Sequence, residues 1–210
     1  MDGILNILKP PGMTSHDVVA RMRRLTGQRK IGHSGTLDPG AAGALPVFLG
    51  QATRLIEYGM EWDKVYRTEL TLGGHSETGD DASEITWDDN PQYPTLEEVE
   101  KVLREFVGPQ LQVPPMYSAL KVDGKKLYEL AREGKTIERE ARPIEIYSID
   151  LLSYEAPILR FDVACSKGTY IRTLCEDVAG KFSLSVCVKF RLSYVDYCDV
   201  SSYLLHVCTI

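Results

Sequence analysis

Gly32-His33-Ser34-Gly35-Thr36-Leu37-Asp38-Pro39-Gly40-Ala41-Ala42-Gly43 places four glycines within twelve residues. Glycine tolerates positive φ and the close approach of another group, so such a run suits an unusual backbone path or a near neighbour. Amid the glycines stands one carboxylate, Asp38, and the proline after it biases that residue towards extended backbone. Lys30 and Ile31 lead into the stretch. Ala44-Leu45-Pro46-Val47-Phe48-Leu49 follows as an apolar strand whose proline suggests an edge or a bulge. Taken alone, the stretch is either a long Asp-Pro turn or a cradle for a reactive acid.

Upstream, residues 3–8 read as a short buried strand closed by a turn at Lys9-Pro10-Pro11-Gly12. Thr14 and Asp17 have the spacing of a capping box, and Val18, Val19, Met22 and Leu25 give the apolar stripe of a helix ending near Gly27. Downstream, residues 64–72 alternate. Lys64, Tyr66, Thr68, Leu70 and Leu72 share one face, with Arg67, Glu69 and Thr71 on the other. Thr95 and Glu98 form a second box, whose helix runs to Phe106 with Gly108 as the stop. Residues 112–117 are too proline-rich for a central strand, and Asp123-Gly124 marks a turn. A short helix over 127–132 is closed by Gly134, and residues 144–152 and 158–165 pair as a hairpin. The expected fold is α+β: one domain over 1–210 with a mixed, mostly antiparallel central sheet flanked by helices.

Lys167-Gly168-Thr169-Tyr170-Ile171-Arg172-Thr173 has a geometry of its own. Thr173 and Glu176 have capping-box spacing, which predicts a helix from Thr173 to Gly180. Tyr170 and Arg172 then fall in extended chain, where residues two apart point the same way. One phenol and one guanidinium would face a common partner, which should be a carboxylate.

An apolar content of 43% and a charged content of 26% over 210 residues are those of a globular protein. No run approaches the ~18 apolar residues of a membrane span. The start, Met1-Asp2-Gly3, has no signal-peptide pattern, so the expected compartment is the cytoplasm. Five cysteines (Cys165, Cys175, Cys187, Cys198, Cys208) show no C-x-x-C pair and read as buried free thiols. The net charge of −6 argues weakly against nucleic acid, but its distribution is uneven. Between Val18 and Leu37 stand five cations (Arg21, Arg23, Arg24, Arg29, Lys30) and no acid, whereas Glu77 to Asp89 holds six acids and no cation. The basic segment runs straight into the Asp38 stretch, which keeps an anionic substrate in view.

Phosphate-loop, dinucleotide and zinc-protease motifs are absent. Gly32-His33-Ser34-Gly35 has a glycine one residue too early for a nucleophile elbow. His16, His33, His75 and His206 show no ligand spacing, so no metal is assigned. What remains is a carboxylate loop, a basic approach to it, and tyrosines beside cations at Tyr66, Tyr117 and Tyr170. An aspartate is a good nucleophile when kept ionised, which a neighbouring arginine favours. A tyrosine on a sheet face can stack on a base, worth roughly 1–3 kcal/mol. Together these point to chemistry on a nucleobase without a cofactor.

The chain resembles the tRNA pseudouridine synthase B family. The resemblance rests on residues 9–15, 32–43 and 49–54, on Lys64-Val65-Tyr66, and on residues 114–121, 124–134 and 167–173, in that order. It implies a pseudouridine synthase fold and isomerisation of a uridine in the T arm of tRNA, with the bare protein acting as a monomer and no protein partner required. It further implies that Asp38 attacks the flipped nucleotide, that Tyr66 stacks on its base, that Tyr170 helps remove the C5 proton, and that Arg172 pairs with the aspartate. His33 would fill the space that the extruded base leaves. Lys9, Lys64, Asp80, Arg21, Arg23 and Arg24 are the other candidate substrate contacts. Two departures stand out. The family's pocket leucine has only Phe190 or Leu192 as substitutes, and no C-terminal RNA-binding domain of the PUA type is expected before Ile210. A guide-RNA-dependent synthase of the dyskerin type shares much of the motif set, and an RNA-folding helper is an alternative of another class.

Overall fold

The capping boxes at Thr14 and Thr95 form, and each fixes where a helix begins. At the first, the Asp17 N–H donates to Thr14 Oγ1 at 3.1 Å while the Thr14 N–H donates to Asp17 Oδ2 at 2.9 Å. The computed structural model describes residues 1–76, 84–118, 120–122, 124–194 and 207–209. Strand β1 (Gly3–Lys9) is followed by helix α1 (Ser15–Thr26), β2 (Ile31–His33) and β3 (Gly43–Leu49). A 3-10 turn over Gly50–Leu55 leads into the short α2 (Ile56–Met60), then β4 (Lys64–Leu72) and a small hairpin of β5 (Gly74–His75) and β6 (Thr86–Trp87). Helix α3 (Leu96–Glu105) precedes β7 (Gly108–Gln112), the hairpin of β8 (Lys121–Val122) and β9 (Lys125–Lys126), and α4 (Leu127–Arg132). The long pair β10 (Arg142–Glu155) and β11 (Ile158–Cys165) is followed by α5 (Ile171–Gly180), β12 (Val186–Tyr194) and β13 (Val207–Thr209).

Nine of these strands form one sheet in the order β13-β1-β3-β12-β4-β11-β10-β7, with β2 beside β3. Its pairs are antiparallel except β1 with β13 and β3 with β12, which gives the mixed, mostly antiparallel sheet expected. Helices cover it through two separate apolar cores. Val18, Val19 and Met22 of α1 pack on Ile7, Ile31, Leu45, Val47 and Leu49. Leu174, Cys175 and Val178 of α5 and Val99 and Leu103 of α3 pack on the inner residues of β4, β10, β11 and β12. The loop between β2 and β3 touches both bodies of packing, Leu37 lying against the first and Asp38 meeting Arg172 from the second. Among the described residues no helix is long and apolar enough to cross a membrane.

Two local expectations are corrected. Leu25, assigned to the buried stripe of α1, is 66% exposed. The buried residues of α1 end at Met22, so its last turn lies beyond the cover of the sheet. Pro46 marks no outer edge, because β3 lies between β1 and β12. The proline is tolerated where β2 has ended at His33: the Pro46 carbonyl accepts the Ser34 N–H at 3.2 Å, and its missing N–H falls on that same side. Cys165 and Cys175 are buried free thiols, as expected, Cys187 is buried as well, and burial pushes Cys165 up to about 11. Cys198 and the Cys208 side chain lie outside the described residues.

Helix α2 presses on the start of the loop between β2 and β3 through Gly59. A Cβ there would sit 2.9 Å from Phe48 Cζ and 2.9 Å from Ser34 Cβ. Gly59→Ala is therefore expected to destabilise the protein by about 1–3 kcal/mol. Gly180→Ala, into open space at the end of α5, should be neutral or gain up to about 1 kcal/mol. Urea unfolding of the two variants beside wild type measures both.

Candidate active site

The loop between β2 and β3 is held from below by the corner that joins β1 to α1. Ser15 Oγ accepts the Leu37 N–H at 3.0 Å and donates to the Leu37 carbonyl at 3.4 Å. Gly12 donates its N–H to the Pro39 carbonyl at 2.8 Å, and Ala41 closes the turn on the Asp38 carbonyl at 3.0 Å. Gly35 takes a φ of 112°, which side-chain-bearing residues rarely adopt, and its carbonyl accepts from His33 Nδ1. Leu37 packs against the α1 core. Asp38 is thus fixed on both sides while its own side chain stays 34% exposed.

Lys9, expected at the substrate, is instead fully buried beneath this loop. Its ammonium lies 3.0, 2.7 and 3.3 Å from the carbonyls of Pro10, Met13 and Pro39. An ammonium has three donors, and here all three have acceptors, so none is left for a phosphate. Burial pushes the Lys9 pKa down, and the charges of Asp38 and Asp17 oppose that shift.

The carboxylate meets its partner from the other core. Arg172 Nε lies 3.1 Å from Asp38 Oδ2, and Arg172 Nη2 donates to the Tyr117 carbonyl at 2.8 Å. The side chain of Arg172 is 10% exposed. The pairing of Arg172 with a carboxylate is as expected, but the route to it is not. Helix α5 begins at Ile171 with Tyr170 as its N-cap, two residues earlier than the sequence predicts. Arg172 is therefore helical, and the argument from two residues in extended chain does not apply. Thr173 forms no capping box, and its buried Oγ1 has no hydrogen-bond partner among the described residues. Tertiary contact overrides the local signal. Gln112 Oε1 accepts the Tyr170 N–H at 2.7 Å, Gln112 Nε2 donates to the Tyr170 carbonyl at 3.0 Å, and Leu174 N–H closes the first helical bond on the same carbonyl at 3.0 Å.

Tyr66 on β4 is partly exposed and packs against the α5 core. Burial pushes its phenol above the usual range, and the nearby charges of Cys165 and Asp38 act the same way. Lys64, two residues earlier on the same face, donates to the Trp62 carbonyl at 2.7 Å; burial lowers its pKa. A Cβ on Gly35 would lie 3.9 Å from Lys64 Cε, so this lysine flanks the loop. His33 donates through Nδ1 to the Gly35 carbonyl, which leaves Nε2 as the acceptor. Burial holds it below its usual pKa, against the raising effect of that bond, and His16 lowers it further.

The three arginines of α1 divide. Arg21 and Arg24 are exposed, whereas Arg23 donates to the Ile31 carbonyl at 3.2 Å and ties the helix to β2. Asp80 lies outside the described residues, as do the side chains of Phe190 and Leu192. Ser34, the near miss for a nucleophile elbow, is buried. Among the described residues no three His, Cys, Asp or Glu side chains are grouped to hold a metal ion. Ser15, Gln112 and the Tyr117 carbonyl escaped the sequence reading. The Pro114-Pro115 step between the last two was the available signal, because it marks a stiff connection.

The family model described as TruB family pseudouridylate synthase (N terminal domain) matches residues 23–171. The chain is 52% identical over 198 residues to a tRNA pseudouridine synthase B of Symbiobacterium thermophilum, covering 93% of this chain and 65% of that protein. Its counterpart in Clostridium novyi is 52% identical over 179 residues, covering 85% and 61%. The one in Caldanaerobacter subterraneus is 47% identical over 208 residues, covering 98% and 73%. The chain thus spans 61–65% of the length of the first two relatives. Among solved structures, a Cbf5-Nop10-Gar1 complex matches at a TM-score of 0.69 and 29% identity, over 91% of this chain and 47% of that one. An H/ACA RNP bound to a substrate RNA containing 2'-deoxyuridine matches at 0.65 and 26%, over 91% and 46%.

The partly buried imidazole gives a test of the loop's packing. Because His33 is held below 6.5 in the folded protein, the unfolded chain takes up the proton first as pH falls. Its stabilising contribution is full above the unfolded value and is lost as pH drops towards and through the folded one. His33→Gln should therefore flatten the fall in stability below about pH 6.5, as read from urea midpoints at stepped pH.

Proposed function

The chain belongs to the TruB family of pseudouridylate synthases, and from that premise we propose that it isomerises a uridine in the T loop of tRNA to pseudouridine, with Asp38 as the attacking group. The observation that carries this reading is the 3.1 Å pair of Asp38 with a nearly buried Arg172, at a carboxylate that itself stays open to the outside. An aspartate held between a fixed loop and a guanidinium is positioned to attack something brought to its exposed side.

The net reaction breaks the N1–C1′ and C5–H bonds and forms the C5–C1′ and N1–H bonds. The uridine is flipped from its stack at a few kcal/mol, recovered by contacts in the pocket. Tyr66, partly exposed beside Asp38, is the stacking surface for the base. Attack by Asp38, at ribose C1′ or pyrimidine C6, leads to cleavage of the N1–C1′ bond. The base turns and rejoins C1′ through C5, and the carbon–oxygen bond that Asp38 made is broken, which returns the free carboxylate. The C5 proton is removed with the help of Tyr170, and N1 takes a proton, so the product is an isomer and no cofactor is consumed. Arg172 keeps the carboxylate in place throughout, bonded to the Tyr117 carbonyl as its second support. Lys64 flanks the loop and His33 occupies the space left by the extruded base. The bare protein acts in this way as a monomer in the cytoplasm, on the T arm alone.

The test is incubation with an unmodified tRNA transcript, followed by carbodiimide mapping of pseudouridine. Wild type is expected to give one modified position in the T loop. Asp38→Asn should lower stability, because Arg172 loses its carboxylate, and the folded variant should give no turnover while binding tRNA within about threefold of wild type, since the backbone fastenings of the loop do not involve that carboxylate. Substantial residual turnover in that variant would remove Asp38 from the attacking role, and tRNA binding without product in wild type would favour a folding helper.

The basic face of α1 gives a second expectation. Replacing the exposed pair Arg21 and Arg24 with Ala should weaken tRNA binding and lower the salt slope by about 1–2. Arg23→Ala should act through folding instead, because its guanidinium is engaged with Ile31. Binding titrations at several salt concentrations separate the two.

A further inference from the structure

Strand β7 lies at the end of the sheet, yet its last residue, Gln112, is buried. A buried amide needs partners for both its oxygen and its nitrogen. Both are found on Tyr170: Gln112 Oε1 accepts its N–H at 2.7 Å and Gln112 Nε2 donates to its carbonyl at 3.0 Å. The side chain thereby copies the two-bond exchange of a β-pair, at the residue where extended chain turns into α5. Further along the same segment, the Tyr117 carbonyl accepts from Arg172. Between these two rungs stand Pro114 and Pro115, which have fixed φ and no N–H to offer elsewhere.

The start of α5 has a rival. Thr173 and Glu176 are spaced as a capping box that would begin the helix two residues later. In the structure that box is unmade and Thr173 Oγ1 is left buried without a partner among the described residues. Were the helix to begin at Thr173, Arg172 would move from the first turn into the chain before it, and its guanidinium would leave Asp38 in a new direction. The Gln112 clamp holds the earlier start.

We propose that Gln112 is a positioning residue for the reacting pair: its amide selects between two starts of α5 and so sets where the Arg172 guanidinium meets Asp38. The inference rests on the proposed reaction only in its kinetic arm. Gln112→Met keeps the length and removes both bonds; Gln112→Glu keeps the acceptor for the Tyr170 N–H and sets an oxygen against the carbonyl. Both variants are expected to lower kcat for pseudouridine formation by about 10- to 100-fold, with KM for tRNA within about threefold of wild type. The Arg172 Nε–Hε resonance, assigned with Arg172→Lys, should move while those of other arginines stay. Adding Thr173→Val to Gln112→Met removes the rival cap and should restore part of kcat and of the resonance position.

Wild-type kcat with an unmoved Arg172 resonance in either Gln112 variant overturns the proposal. Loss of activity that only follows loss of folded protein, with the resonance unmoved in what remains folded, overturns it as well. If wild type makes no pseudouridine, the proposed reaction fails, and the resonance in the Gln112 variants and the Thr173→Val rescue still decide the role of Gln112.

Discussion

The 3.1 Å contact between Arg172 Nε and Asp38 Oδ2 joins two halves of the molecule that have separate cores. Ile171 is packed in one core and Leu37 in the other, so the residue beside each partner is anchored in a different body. A guanidinium this buried is strongly destabilising if its carboxylate is removed, because the charge is left uncompensated away from water. The pair therefore adds to the constraint that the shared sheet already places on the two cores. The other fastenings of the site serve it from either side: Lys9, Gly12 and Ser15 below the loop, Gln112 and Tyr117 behind the helix.

The pair is asymmetric in its exposure. Arg172 is held inside with a second acceptor at Tyr117, while Asp38 keeps a third of its surface open. The loop supplies no freedom to the carboxylate, since residues on both sides of it are bonded to the β1–α1 corner. Lys9 adds a positive group beneath, engaged entirely with backbone carbonyls. A preorganised acid of this kind needs little rearrangement when a substrate arrives, which is the usual physical basis for directed attack. Tyr66, raised by burial and by the field of Asp38, stays a neutral phenol and remains suited to stacking.

Much of the fold was legible because its signals are local. The boxes at Thr14 and Thr95 start their helices where their spacing places them, since each is closed by atoms three residues apart. The alternation over β4 marked its two faces, and the element runs over Lys64–Leu72 as read. The same kind of signal failed at Thr173, where a glutamine distant in sequence supplied a better end for the helix. It failed again at Leu25, where periodicity gave the correct face and said nothing about how far the sheet extends beneath it. Charge was the least legible feature. Lys9, Arg23 and Arg24 look alike in the chain, yet the first is saturated by carbonyls, the second is tied to β2, and the third is exposed.

The sequence by itself determined most of the elements, the candidate acid and the family, because helix caps, strand alternation and a twelve-residue glycine loop are short-range patterns. It also named the partners of Asp38 as residue types, through the resemblance of Lys167 to Thr173 and its neighbours. Only the tertiary structure decided how those partners arrive. That Arg172 comes from the first turn of a helix, that Gln112 fixes that turn, and that Lys9 supports the loop from a buried site depend on contacts between segments far apart in the chain. Such contacts satisfy buried polar groups, and which donor finds which acceptor is set by the packing of the two cores rather than by any spacing along the sequence.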